Sequence, residues 1–572
     1  MYHGDMLVTQ GWEKGKPDFE WWQRAVQEGI TYRKEMTHEE DWDKWRGWYR
    51  GKWPPGILPT NIYFKMIRTL VPRVYYRNPS VSVTATLPGI EQMLYAKLLE
   101  RADNKLLDLM STKQQMKRAV QLAVMFGTSV PMMGYGAQFS HTPEELTTEA
   151  PEGGTKRMVN RVEYHSLVHP DTPHLLTEHP GNIVFPKKCA SWEEARWICQ
   201  LTRRPVGDLK ADKRFKNTEN LPEVGSKGGS IRYDGAPGTV LPEGVRLWII
   251  RDKKTQQVFV LAPDGDEGAK VLYQEDDELQ IDGGLPAYPL VFNTDDESVW
   301  GVPDSKIIEP QQTEINECRT LIMRHRRISL VKFLVEQNAI DPDEASKLID
   351  DDVGAMVKVK NVGMVKELTP AQIPTALLQS EQLTAQDVQE ILGLGTNQFG
   401  EYAPGSADRS ATEANIVNQA TQIRVDERRD TCADLLVNFV SDMNQVIVKH
   451  WDRDIVESVI GPGGVEIWIK FQPQELRQGH YVTKIDPDSS VPLTKQVREQ
   501  RAVQGYTLFK DNPMIDPFKL TQMTVNEVYS GDVMDLIKEM GNTSPGNPMS
   551  VPQAAQRLQG IGAANGQAGP VQ

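Results

Sequence analysis

The sequence lacks a long apolar run, a close cysteine pair, an excess of positive charge and the common nucleotide-binding and hydrolase signatures. Its most apolar stretch, Ala119 to Met133, is interrupted by Gln121, Gly127 and Pro131, and it falls short of the ~20 residues that a bilayer-spanning helix needs. Met1-Tyr2-His3-Gly4-Asp5 has no basic stretch leading into an apolar one, so neither a secretory signal nor a membrane partner is expected. The four cysteines, Cys189, Cys199, Cys318 and Cys432, form no CxxC pair. That argues against a zinc cage or a dithiol motif and predicts reduced, partly buried thiols. Lys and Arg number 64 against 78 Asp and Glu, for a net charge of −14. Such a chain is a poor grip for nucleic acid, because tight binding depends on cations that displace counterions from phosphates; it is compatible with a surface past which DNA slides. No Walker A loop, HExxH, GxSxG or kinase motif occurs, and Gly461-Pro462-Gly463-Gly464 and Gly225-Ser226-Lys227-Gly228-Gly229 read as turns. No cofactor and no enzymatic activity are expected.

What is present is enough for several packed units. The chain has 572 residues, 39% hydrophobic and 25% charged, and at about 100–200 residues per domain this predicts three or four of them. Seven of the thirteen tryptophans fall in residues 1–53. Thr37-His38-Glu39-Glu40 fits a helix capping box, followed by Trp42, Trp45 and Trp48 along one helix side; they read as an aromatic anchor on a neighbouring element or as an inter-subunit contact. A helix is expected over Pro59 to Tyr76, ending near Arg77-Asn78-Pro79. A strand follows at Ser80-Val81-Ser82-Val83-Thr84, then a helical run from about Gly89 to Met125. Polar loops are expected near 138–158 and 217–244, and a β-hairpin over 245–261 turning at Asp252-Lys253-Lys254.

From residue 303 the pattern changes. Pro303 through Ile328 predicts a helix whose second half carries Arg319, Arg324, Arg326 and Arg327, with His325 among them. Strand-like Val331 to Val335, a helix after Asp341-Pro342 and strand-like Ala355 to Lys360 come next, then a helix over about 371–392. A Gly- and Pro-containing loop from Gly395 ends at Ser410-Ala411-Thr412-Glu413, a second capping box. From there to Trp451 no Gly or Pro occurs, and Ile416, Ala420, Ile423, Leu436, Phe439, Met443 and Val446 recur at helical spacing. Roughly 41 residues make a helix about 60 Å long. Strands are expected around Val465 to Phe471 and Tyr481 to Ile485, and short helices over 491–540. The tail from Gly541 is too rich in Gly, Pro, Gln and Ala to fold alone.

Two clusters bear chemistry. His165, His169, His174 and His179 could ligate a metal, but Pro170, Pro173 and Pro180 break any helix that would align them, so ordered loop histidines are the plainer reading. The arginines at 319–327 read either as a solvated or inter-subunit ion-paired face or as contacts to nucleic acid phosphates.

The order of parts resembles the portal, or head–tail connector, family of tailed double-stranded DNA phages. The resemblance rests on Leu70-Val71-Pro72 running to Asn78-Pro79-Ser80-Val81-Ser82-Val83, on Phe126-Gly127-Thr128-Ser129 before an apolar strand, on Pro310-Gln311-Gln312-Thr313-Glu314-Ile315-Asn316 leading to Arg324-His325, and on the loop from Gly400 to Glu413. It spans about residues 20–540. It implies an α+β, multi-domain protomer of wing, stem, clip and crown, assembling into a ring: 1–302 the wing or body, 303–328 and 371–394 stem helices, 329–370 the clip. Residues 395–410 would be the channel loop, 411–490 the long wing helix with its following strands, 491–540 crown helices and 541–572 a flexible tail. The implied role is a virion channel at the capsid vertex, assembled in the host cytoplasm, through which DNA is packaged and ejected. Its implied partners are further copies of itself, twelve in the family's virion rings, the packaging terminase, capsid and scaffolding proteins, tail or head-completion proteins, and double-stranded DNA. Twelve helices at ~9 Å spacing leave a bore of roughly 24 Å, wide enough for a duplex of about 20 Å. Asn397, Gln398, Glu401, Tyr402 and Asp408, with Arg409 the lone cation, would then give a loop that touches DNA without gripping it; an ordinary exposed loop is the alternative. The rival classes are another virion structural protein, such as a tail or minor head component, and a metal-dependent hydrolase built on the histidines.

Overall fold

The computed structural model describes residues 19–135, most of 173–221, 244–263, 271–328 apart from 280 and 283, 332–335, 365–368, 375–393, 411–451 and a series of shorter pieces up to 549–550. The loop expected near 138–158, most of 217–244, the helix after Asp341-Pro342, the strand Ala355 to Lys360 and the loop 395–410 lie outside the described residues.

In chain order come helix α1 (Phe19–Met36), a 3-10 turn (Glu39–Asp41), α2 (Trp42–Tyr49), α3 (Ile62–Val74), strand β1 (Ser80–Ala85), α4 (Ile90–Leu109), α5 (Thr112–Phe126), β2 (Thr128–Tyr135), β3 (Pro173–Glu178), β4 (Ile183–Val184), β5 (Trp197–Arg204), α6 (Val206–Ala211), β6 (Val245–Asp252), β7 (Gln257–Leu261), β8 (Val271–Asp276) and β9 (Leu290–Val291). They are followed by α7 (Asp304–Ile307), α8 (Glu309–Ile328), β10 (Lys332–Val335), β11 (Val365–Leu368), α9 (Thr375–Leu392), α10 (Ala411–His450), β12 (Ile455–Ile460), β13 (Glu466–Phe471), β14 (Tyr481–Asp486), α11 (Lys495–Phe509) and β15 (Met549–Ser550). The content is mixed helix and sheet, as expected of an α+β chain. It divides into two compact units: Met1–Asp41 with Arg68–Pro303 and Gln422–Gln572, and Trp42–Ile67 with Asp304–Thr421.

The first unit is built on an antiparallel sheet in the order β4-β5-β6-β7-β8. Alternation sends Val245 and Leu247 of β6 and Val258 and Val260 of β7 to one face, where they meet Val206 and Leu209 of α6. Trp248, Ile250, Phe259 and Leu261 go to the other, against Trp22 and Val26 of α1. Both faces are covered along the middle of the sheet, and the polar residues of its strands fall mainly towards strand ends, as with Arg203, Arg204, Arg251, Asp252, Glu275 and Asp276. The β6–β7 hairpin turns where expected, and Asp252 holds it: its carboxylate accepts from Lys254 N (3.1 Å), Thr255 Oγ1 (3.0 Å) and both arms of Arg196 (3.0 Å each).

Several expectations are corrected. The Thr37 hydroxyl donates to Arg33 O at 2.8 Å at the end of α1 and Glu39 pairs with Arg33, and a 3-10 turn at Glu39–Asp41 comes before α2 begins at Trp42. The run from Gly89 is two helices, because Ser111 takes a left-handed φ of 54° between α4 and α5. The helix from Pro303 is likewise split, with α7 ending before Ile308 and α8 beginning at Glu309. β10 falls within the expected strand Val331 to Val335 and pairs antiparallel with β11, a strand the sequence reading does not include, with Lys332 opposite Leu368. Ile423 is 67% exposed although it shares the apolar spacing of α10, while Leu436, Phe439, Met443 and Val446 are buried. The tail contributes β15, which pairs parallel to β13 through Met549 and Ser550; strand addition uses main-chain groups and does not require the buried apolar surface that the tail lacks.

Candidate functional site

Helices α8 and α9, with β10 and β11 in sequence between them, belong to the second unit and carry the basic cluster. Pro310 sits in the first turn of α8, where its missing N–H costs nothing, and Glu309 places a carboxylate at the positive end of the helix dipole. That carboxylate also takes the ammonium of Lys44 and, at 3.0 Å, the indole N–H of Trp45. Trp42 and Trp45 are buried; Trp48 is partly buried, stacked on Trp53 at 5.1 Å and edge-on to Tyr63 at 5.2 Å.

One side of α8 is a polar ladder. Gln312, Asn316 and Thr320 are buried, and they accept the backbone N–H of Ile62 (3.0 Å), Thr60 (2.9 Å) and Leu58 (3.0 Å) respectively. Gln312 Nε2 donates in return to Thr60 O at 2.7 Å. The match is geometric: four residues of helix advance about 6 Å and two residues of extended chain about 6.6 Å. Pro59, which has no N–H, falls between two of the residues that donate. Asn316→Leu should strand the Thr60 amide and cost about 1–3 kcal/mol. Urea denaturation of the variant measures it, and an unchanged midpoint would mean that the ladder carries no stability.

The contacts of α8 with α9 are also polar in part. Ser380 Oγ donates to Glu314 Oε1 at 3.1 Å, and Arg319 pairs with Glu381 at 2.5 Å, while Ile315, Cys318, Thr384, Val388 and Leu392 are buried. Of the sequence-identified arginines, Arg319 is therefore ion-paired within its own unit. Arg324, Arg326 and Arg327 are exposed near the end of α8, with His325 partly buried beside them. Asn397, Gln398, Glu401, Tyr402, Asp408 and Arg409 lie outside the described residues, as do His165 and His169. His174 and His179 are both buried. Burial holds the His174 imidazole below its ordinary pKa, and His179 Nδ1 accepts from Gly181 N at 3.1 Å. Among the described residues no three His, Cys, Asp or Glu side chains are grouped to hold a metal ion, and no helix is long and apolar enough to cross a membrane. The cysteines are free and buried.

Sequence reasoning missed the ladder. Its signal is polar residues at i, i+4 and i+8, which a sequence shows in the same way as a solvated helix face.

No model of a known protein family matches the sequence, and no curated protein matches it. Among solved structures, a chain of the virion of a native gene transfer agent particle aligns over 87% of this chain and 98% of its own length, with a TM-score of 0.37 and 8% sequence identity. Similarity at that level assigns no role to any residue.

Proposed function

We propose that the chain is a virion structural protein and, more narrowly, a portal protein whose copies close into a ring around a DNA channel. The observation that carries this is the chain order of 20-residue α8, the β10–β11 pair, 18-residue α9 and 40-residue α10. That order fits the family plan of stem, clip, stem and long wing helix, and in sequence residues 395–410 fall where that plan has its channel loop.

The charge of α9 is consistent with a lining that does not hold DNA. It contains Glu381, Asp387 and Glu390 and neither Lys nor Arg, and Gln379, Gln382, Gln386, Asp387 and Glu390 are exposed. Phosphates gain nothing there from counterion release, so a duplex can pass repeatedly. Arg319 is neutralised by Glu381, which leaves Arg324, Arg326 and Arg327 as the candidates for phosphate or inter-subunit contact. The proposed partners are further copies of the chain, the packaging terminase, capsid and scaffolding proteins, tail or head-completion proteins, and the DNA itself. The proposed role is structural and calls for no cofactor.

Negative-stain electron microscopy of the purified full chain should show closed rings with a central opening. A preparation that stays monomeric under all assembly conditions and never co-purifies with capsids overturns the reading. Deleting 398–405 should leave the rings intact and lower the fraction of particles that retain packaged DNA; normal retention would remove the loop from the mechanism.

A further inference from the structure

Asp103 of α4 is fully buried. Asn444 of α10 reaches it, with Nδ2 donating to Asp103 Oδ2 at 3.2 Å. The remaining carboxylate oxygen, Asp103 Oδ1, and the amide oxygen, Asn444 Oδ1, are both buried with no partner among the described residues. Two acceptors are thus left over on two side chains that already share a hydrogen bond. A buried acceptor without a donor costs about 1–3 kcal/mol, and an unpaired buried carboxylate costs more. A single proton removes both deficits. Placed on Asp103 Oδ1, it turns that atom into a donor, and the amide oxygen of Asn444 is an acceptor that lacks one.

We propose that Asp103 is a neutral carboxylic acid in the folded protein and forms with Asn444 a closed, doubly hydrogen-bonded acid–amide pair, a proton-dependent lock between α4 and α10. A carboxylic acid kept neutral so that it can donate is established chemistry for carboxyls in apolar surroundings. The surroundings agree with it. Burial dominates the titration of Asp103 and raises it, the Asn444 hydrogen bond lowers it, and the Glu100 charge one turn earlier raises it again, to about 8 in all. Other charged groups on the packed elements are Glu91, Lys97, Arg101, Lys105 and Asp108 of α4, Lys113, Lys117 and Arg118 of α5, Glu457 of β12, and on α10 Asp442 and Lys449 near Asn444, with the remaining charges of α10 at Asp434 and earlier and at His450; β1 has none. None of these cations is among the causes acting on Asp103.

The sign of the linkage follows. In the unfolded chain Asp103 titrates near the ordinary carboxyl value of 3.8, and in the fold near 8. Between these values the folded state holds the extra proton, so the contribution of Asp103 to stability is complete below about pH 4, declines as pH rises towards about 8, and is level above that.

The test uses Asp103→Asn in the full chain. An amide at 103 can make the same two hydrogen bonds with Asn444 and carries no titratable proton. The unfolding midpoint of D103N relative to wild type should rise steadily from about pH 4 to about pH 8 and stay level beyond. The infrared difference spectrum, wild type minus D103N, should show the carbonyl stretch of a protonated carboxyl at pH 6, lost on titration with a midpoint near 8. The spectrum is read on folded protein and does not depend on reversible unfolding. Absence of that band at pH 6, or a midpoint gap that does not change with pH, overturns the proposal.

Discussion

Replacing Glu39 with alanine is expected to destabilise the fold by about 3–5 kcal/mol, the range for removing one partner of a buried ion pair. Arg33 on α1 is 1% exposed and Glu39 4%. Arg33 Nε donates to Glu39 Oε2 at 3.3 Å, and Nη1 donates to Ile183 O, at the start of β4, at 2.8 Å. Truncating Glu39 leaves a guanidinium inside the unit with the Glu39 counter-charge gone, at the point where α1 is held to the sheet. A guanidinium cannot escape by losing its proton. The expected result in urea is a large fall in midpoint at unchanged slope. The double variant Arg33→Met, Glu39→Leu should recover most of the loss, because apolar replacement of both partners removes the desolvation penalty along with the attraction. A Glu39→Ala variant within 1 kcal/mol of wild type would show that the charge is compensated from elsewhere.

The same pair shows what a sequence conveals and what it discloses. The sequence offers Glu39 only as an inner position of the Thr37–Glu40 capping box, because that motif is a local spacing rule. Its actual partner, Arg33, lies six residues back and is set by the turn at His38, which has a positive φ of 49°. Features decided by neighbours in the chain were readable: the uninterrupted length of α10, the β6–β7 hairpin, and the end of α5 at Gly127. Features decided by distant contacts were not. Nothing in Ser80–Ala85 names Tyr481–Asp486 as its partner, although the two pair residue for residue. Ile423 fits the apolar period of α10, yet it is exposed, because periodicity marks a face and not what covers it. The candidate site divides in the same way. The arginines near the end of α8 were visible as a cluster of like charge. The Arg319–Glu381 pair and the ladder of Gln312, Asn316 and Thr320 depend on segments that the chain brings back from elsewhere.

Gly127→Ala is expected to cost about 2–5 kcal/mol, from two effects that can be separated. The residue has φ +83°, a region that costs an L side chain roughly 1–2 kcal/mol. A Cβ there would also stand 2.0 Å from Gly301 O, 2.8 Å from its carbonyl carbon and 3.0 Å from Pro303 N, all backbone atoms that cannot rotate aside; overpacking of this kind costs about 1–3 kcal/mol. The approach is reciprocal. Gly301 N donates to Thr128 Oγ1 at 2.9 Å, and a Cβ on Gly301 would lie 2.2 Å from Val291 Cγ1 and 2.9 Å from Gly127 O. Two glycine backbones thus pass where α5 turns into β2, and the helix can end and the strand begin within one residue because neither carries a side chain. Gly301→Ala should lose the overpacking part alone, and the double variant should fall short of the sum, since either substitution already forces the same two backbones apart. Gly207→Ala is the control. It lies in α6 with nothing within 4 Å of its added Cβ and no positive φ, and it should stabilise by about 0.4–1 kcal/mol through the unfolded chain. If Gly127→Ala and Gly207→Ala shift the urea midpoint alike, the close backbone passage between α5 and residues 301–303 carries none of the stability assigned to it.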